Sequence, residues 1–378
     1  MEWITELWSP AIILLAAFVI GWGAETAQTF IPRAVALSIL AWLQTLPEFA
    51  VEAAYAWSQD RNMMIANLTG SLRLIVGFGW PMIFFTNFFS VRMAEKRSIK
   101  EIRLHPHDSL GVVFLFISTI YFVLVLCKGT LSCWDSIILT LIYVGYLIAG
   151  AKFSGTEDAE DEEDLPWVGR KIVHLSPVPK YTATILLFAV GGLALWYTVH
   201  PFIDTLQRWS VSLGISTFVF VQWVAPFLSE FPEKVSAFNW ARQVKKAPMA
   251  MMNMVNSNIN QWTMLAAMIP AVFNISLGHF EPVVFDHMHK MELALTIAQS
   301  VLGGMLLLDM SFSMKDAIAM FVLFTVQFVV PHLREEVMFV YCAWIVFELG
   351  SLLYRYFKHN HVPNALAELR QVVGLQGR

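Results

Sequence analysis

Two distant stretches of this chain run through apolar residues and stop at the same dipeptide. They are FIPRAVALSILAWLQTLPE at 30–48 and ISTFVFVQWVAPFLSEFPE at 215–233, each ending in Pro-Glu. About twenty residues after each lies a segment carrying Asn and Ser, ANLTGS at 66–71 and MNMVNS at 252–257. Glu48 and Glu233 are 185 residues apart and Asn67 and Asn253 are 186 apart, so one half of the chain repeats the other. A carboxylate duplicated within apolar sequence points to a polar site where the two halves meet, the arrangement of a repeat-built membrane transporter with an ion site.

The surroundings of these motifs require a bilayer. Apolar residues make up 57% of the 378 and charged residues only 14%, with a mean hydropathy of +0.58. That is too little polar surface to cover a soluble globule of this size. Eleven apolar stretches are capable of spanning: 8–24, 31–57, 63–88, 109–127, 132–152, 183–203, 209–239, 248–276, 290–310, 316–331 and 335–357. The tenth is short, so ten spans is the alternative count. The acidic N-terminus, MEWITELW, is unlike a basic secretory signal, and the first stretch is expected to stay as a membrane helix.

Lys and Arg gather at 92–103 (Arg92, Lys96, Arg97, Lys100, Arg103), at Arg242, Lys245 and Lys246, and at Arg355 and Lys358. With eleven alternating spans and the N-terminus outside, all three clusters fall on one side, which the positive-inside rule makes cytoplasmic. The same alternation puts the 58–62 turn outside and the 241–247 turn inside, so the two Pro-Glu hairpins enter in opposite senses. The expected fold is an all-α integral membrane protein, an inverted repeat of two five-helix halves plus an eleventh C-terminal helix. The first half covers 1–152 with its repeat at 30–75. An acidic cytosolic linker covers 153–182, the second half 183–331 with its repeat at 215–261, and the extra helix and cytosolic tail 332–378. A plasma membrane, or a bacterial inner membrane, is the expected location.

Other features carry less. The acidic run Glu157–Asp164 lacks the Gly and alternate-ligand spacing of an EF-hand loop and reads as a solvated linker. His287 and His289 with Glu281 and Asp286 offer a surface metal site, against the commoner reading of an ordinary polar loop. Cys127 and Cys133 flank one short outer turn and offer a disulfide, against the alternative of two unpaired thiols. No Ser/His, Cys/His or metal-ligand set with catalytic spacing falls within the spans, so the chain does not read as an enzyme; no cofactor or nucleic-acid partner is expected, only lipid and small inorganic cations. The C-terminal helix offers a contact to a second copy of the chain.

Within a membrane a carboxylate is costly unless paired, protonated or hydrated, so Glu48 and Glu233 are expected to face the bundle interior and to bind a cation. The preceding prolines remove a backbone hydrogen bond and free a carbonyl, and carbonyls beside a carboxylate suit hard cations such as Ca²⁺ or Na⁺. Asn67, Thr69 and Ser71 from one repeat and Asn253, Ser257 and Asn258 from the other add oxygens, although small polar residues also serve to pack membrane helices.

These paired segments resemble the alpha-repeats of the cation/calcium antiporter superfamily, to which sodium/calcium exchangers belong. That pattern runs approximately GTSLPE followed by GNxxGSN, and LQTLPE (43–48) with ANLTGSL (66–72) and LSEFPE (228–233) with MNMVNSN (252–258) match it. The resemblance implies that Glu48 and Glu233 bind the ion. It puts Gln44 and Thr45, Ser229 and Glu230 at the hydroxyl positions, and Asn67, Ser71, Asn253, Ser257 and Asn258 at the remaining ligand positions. Gln44, Glu230 and Leu72 depart from the pattern. So does Arg73, where an apolar residue is usual. If Arg73 faces the cavity its partners are Glu48, Glu230 or Glu233; otherwise it snorkels or pairs with Glu52. The implied activity is exchange of Ca²⁺, or a related divalent ion, for Na⁺ or H⁺ by alternating access. The alternative is a non-transporting relative, with Arg73 filling the ion site and the protein serving as a scaffold or sensor.

Overall fold

A computed structural model describes residues 6–28, 42, 43, 45–153, 167–243, 245–360, 362–372 and 374. Each stretch that the sequence marks as spanning coincides with helix there, the second within its described part. Among the described residues seven helical rods are long and apolar enough to cross a membrane. Residues 30–41 and Gln44 of the 30–48 motif and the acidic run 157–164 lie outside the described residues.

The first half comprises α1 (Trp8–Gln28), α2 (Leu46–Trp57), α3 (Arg61–Leu74), α4 (Trp80–Glu95), α5 (Ser109–Lys128) and α6 (Cys133–Phe153). A short helix, α7 (Trp167–Val173), packs on α1 within the segment read as linker, with Trp22 and Trp167 edge to face at 6.4 Å. The second half comprises α8 (Pro177–Leu213), α9 (Thr217–Ser229), α10 (Phe231–Arg242), α11 (Ala247–Asn260), α12 (Ala266–Leu277), α13 (His287–Leu307) and α14 (Met314–Val329). Beyond it lie α15 (Arg334–His359) and α16 (Asn364–Val372). Two boundaries differ from expectation. The 183–203 span is part of a 37-residue helix that begins at Pro177. The 209–239 span divides, because Gly214 in the left-handed region closes α8, and a break at Glu230 then separates α9 from α10.

The repeat is visible element by element. Helices α2 and α10 begin at Leu46 and Phe231, 185 residues apart, and α3 and α11 begin at Arg61 and Ala247, 186 apart. A π-helical turn continues each of the latter, at Ile75–Gly79 and Gln261–Leu265, again 186 apart. Such a widened turn leaves backbone and side chains displaced from regular helical register and is frequent at functional sites. Helices α3 and α9 approach closely at Gly70, where a Cβ would lie 1.7 Å from the Gln222 carbonyl oxygen. Only glycine permits that approach.

Contacts between loops fix which segments share an end of the bundle. At one end the 58–61 turn meets 276–281, through the Ser276 hydroxyl on the Trp57 carbonyl and the Arg61–Glu281 pair at 2.9 Å. Strands Thr130–Leu131 and Val283–Val284 pair there. At the other end Glu101–Arg103 pairs with Ser311–Ser313, Arg355 meets Asp309 at 2.8 Å, and the Ala365 amide of α16 bonds the Leu308 carbonyl. Asn87 of α4 bonds the Ala241 carbonyl beside the 243–246 turn, which therefore lies at this second end, so the two hairpins are inserted in opposite senses. The core joins the halves through large buried side chains including Trp80, Trp262 and Phe122, the last two rings 4.5 Å apart. Apolar side chains stay exposed along α6 (Ile137, Leu141, Ile148) and α15 (Phe339, Phe347, Leu353), as a lipid-facing surface requires.

Cys127, Cys133 and Cys342 are free thiols, so the Cys127–Cys133 disulfide is not formed; Cys133 instead accepts from the Asn274 amide at 3.3 Å. The surface metal reading is also corrected. His289 is committed to capping α13 with Asp286 and to Asn62 at 2.9 Å, and Glu281 is taken by Arg61.

Candidate functional site

Each Pro-Glu pair opens a half-helix in mid-bundle. Pro47 and Pro232 sit in the first turn of α2 and α10, where a missing N–H costs nothing. The prolines thus start helices rather than interrupt them, which revises the freed-carbonyl argument. The break falls at the equivalent positions Thr45 and Glu230, both with ψ near zero, and in the second repeat it is one residue long. Glu48 and Glu233 follow in the first turn, where the helix dipole favours negative charge. Both are buried.

Side chains of α3, α9 and α11 supply their partners. The Asn67 amide nitrogen bridges two carboxylates, 2.6 Å to Glu48 Oε1 and 2.7 Å to Glu52 Oε2. The Ser229 hydroxyl donates to the other oxygen of Glu48, across the repeat interface. Glu233 accepts from Asn253 at 3.5 Å and from Ser257 at 3.2 Å, within its own repeat. Glu230 accepts from Ser71, from Gln261 at 2.6 Å and from the Lys234 ammonium at 2.5 Å. Thr45 accepts from Asn260 at 2.6 Å. Glu230 lies close enough to both Glu48 and Glu233 to act on each electrostatically. Asn258 donates only weakly, to the Leu72 carbonyl at 3.4 Å.

The donors are nearly all used, and the acceptors are not. Glu52 Oε1, the side-chain carbonyl oxygens of Asn67, Asn253, Asn258 and Asn260, and Gln261 Oε1 are buried without accepting a hydrogen bond. A buried acceptor without a donor is costly, and six of them around four carboxylates suit a cation supplied from outside. Among the described residues no three His, Cys, Asp or Glu side chains are placed together as a metal-holding group. The oxygens are mixed carboxylate, amide and hydroxyl, the set that hard cations take.

Arg73 is not in this site. It donates to the Thr69 carbonyl, to Gln327 at 3.1 Å and to Glu292 at 2.5 Å, and it stacks 5.1 Å over Trp223. Arg334 holds the other oxygen of Glu292, and Gln222 bonds both Thr69 and Glu292. This separate buried network ties α3, α9, α13, α14 and α15 together. Expected pairings of Arg73 with Glu48, Glu52, Glu230 or Glu233 are thereby replaced, and Glu52 goes to Asn67. The idea that Arg73 fills the ion site loses its basis. Sequence reasoning missed Glu292 and Arg334, because every partner considered for Arg73 lay inside the repeats, and it missed Lys234, although its i,i+4 spacing from Glu230 was legible.

Inverted half-helices that meet at a buried set of carboxylates and amides define an integral membrane cation carrier. The model of the sodium/calcium exchanger protein family matches residues 3–150 and 183–331, and the chain belongs to that family. Among solved structures it is similar to the H⁺/Ca²⁺ exchanger CAX, with 29% identity over 99% of this chain and 92% of that one, and a TM-score of 0.87. The sodium-calcium exchanger NCX_Mj, in crystals soaked with 100 mM Na⁺ and 10 mM Sr²⁺, shares the fold, with 15% identity over 87% of this chain and 98% of that one, and a TM-score of 0.55. No curated protein sequence matches the chain significantly.

Proposed function

We propose that this protein exchanges Ca²⁺, or a related divalent cation, for H⁺ across a plasma membrane, with the ion held between Glu48 and Glu233. The observation that carries this is the set of buried, unused acceptor oxygens, three of them on the amides of Asn67, Asn253 and Gln261 that bond the buried carboxylates. Support for H⁺ as counter-ion comes from similarity along nearly the whole chain to an H⁺/Ca²⁺ exchanger. Na⁺ is the second reading, supported by the shared fold with a sodium-calcium exchanger. In this reading the ion and its counter-ion compete for the same carboxylates, so the empty, fully charged site resists crossing. Thr45, Asn67, Ser71, Ser229, Asn253, Ser257 and Asn258 supply oxygens or hold the glutamates. The N-terminus lies outside, and the loop end bearing Arg103, Arg355 and α16 is cytoplasmic.

Reconstitution into liposomes tests it. Ca²⁺ uptake is expected under an imposed proton gradient. Glu48→Gln and Glu233→Gln are each expected to reduce it about a hundredfold, as for removal of one partner of a buried charged contact. Uptake driven only by a Na⁺ gradient selects the second reading. Full transport by either variant overturns the site.

A further inference from the structure

We infer that Lys234 is a resident cation of the ion site, competing with the incoming ion for Glu230 and so discriminating against monovalent metal ions such as Na⁺ and K⁺. The inference rests on the transport reading above. The Lys234 side chain is 4% exposed, and its ammonium lies 2.5 Å from Glu230 Oε2, while Ser71 and Gln261 hold Oε1. Glu230 is thus fully satisfied, in contrast to Glu233, whose two contacts are long at 3.2 and 3.5 Å. The charge of Lys234 also acts on Glu48 of α2 and on Glu233. From α1, Glu25 faces the next turn of α10 and accepts from Ser236 at 2.7 Å.

The repeat indicates that this pair is not there for folding. At the 185-residue offset Glu230 corresponds to Thr45 and Lys234 to Phe49, so the same half-helix junction is built in the first repeat without either charge. A buried ion pair is seldom more stabilising than apolar residues of similar size, and its retention here calls for another use. Charge supplies one. A monovalent ion reaching Glu230 must displace a group of its own charge and gains nothing electrostatically, whereas a divalent ion brings twice the charge to the same carboxylate. The tethered ammonium therefore closes Glu230 to Na⁺ or K⁺ and leaves it open to Ca²⁺.

The test is Ca²⁺ uptake by proteoliposomes at graded external NaCl, for wild type, Lys234→Gln, Lys234→Met and Lys234→Arg, each first checked for monodispersity in detergent. Either neutral variant is expected to lower the half-saturating Ca²⁺ about tenfold in Na⁺-free buffer, since an internal competitor is gone. It is also expected to become more sensitive than wild type to competitive inhibition by Na⁺. Lys234→Arg keeps the charge and is expected to show no more sensitivity to Na⁺ than wild type. Monodisperse neutral variants with unchanged or raised half-saturation and no added Na⁺ sensitivity overturn the inference, as does failure of both to fold while Lys234→Arg folds. Wild type that takes up Ca²⁺ while these results fail condemns only the role of Lys234. Wild type that takes up none overturns the transport reading and this inference with it.

Discussion

At the scale of single residues, Glu48, Glu230, Glu233 and Lys234 stand apart from Arg73 although all are buried charges. The first four share one site with unused acceptor oxygens, while Arg73 and Arg334 saturate both oxygens of Glu292. Removing one member of such a buried group strands its partners. Arg73→Ala is accordingly expected to cost about 3–5 kcal/mol of stability, read as an earlier thermal transition in detergent, with no gain of transport. A gain of transport would reinstate Arg73 as an occupant of the site. Asn67→Ala withdraws the one amide that separates Glu48 from Glu52 and leaves two carboxylates facing each other. Weaker Ca²⁺ binding, by about tenfold or more, is the expected result of a titration in detergent.

Among the elements, the close crossing of α3 and α9 sets the geometry of the site, because α3 carries Asn67 and Ser71 while α9 ends at Ser229 and Glu230. Gly70 lets the backbones touch, and Gln222 on α9 bonds Thr69 across the same crossing. Gly70→Ala forces the two helices apart. It is expected to cost about 3 kcal/mol, at or above the usual range for overpacking, and to depress Ca²⁺ uptake more than Leu68→Ala on the same helix. Equal effects of the two would mean that the crossing does not position the ligands. The π-turns at Ile75–Gly79 and Gln261–Leu265 recur at the repeat offset, and the second delivers Gln261 to Glu230.

For the molecule as a whole, the loop contacts place 58–61, 130–131 and 276–284 at one end and 101–103, 308–313 and 355–365 at the other, and the orientation proposed from the positive-inside rule can be tested against them. In a Cys342→Ser background, the exposed Cys127 near the 130–131 strand is expected to react with an impermeant maleimide added outside intact cells. A cysteine at Gln243 is expected to react only after the cells are opened. The reverse pattern would invert the assigned topology without touching the fold.

Local patterns determined much of this protein. Apolar run length marked the helical stretches, because a bilayer demands internally satisfied backbone over a set thickness, but not the breaks at Gly214 and Glu230. The recurrence of Pro-Glu and Asn at one offset fixed the duplication, and alternation with the Lys and Arg clusters fixed its inversion. The same recurrence singled out Glu48, Glu233, Asn67, Asn253, Ser71 and Ser257, which the fold brings into hydrogen bonds with the buried carboxylates, whereas Ser229 came from the family resemblance. What depends on direction around a helix was not legible. Arg73 lies two residues from Ser71, which donates to Glu230, yet its side chain leaves the helix on another face and finds Glu292 some 219 residues along the chain. Lys234 reaches Glu230 one turn back instead of escaping to an interface. Only the packed tertiary structure decides such pairings, since a buried charge goes to whichever opposite charge the neighbouring helices bring within reach.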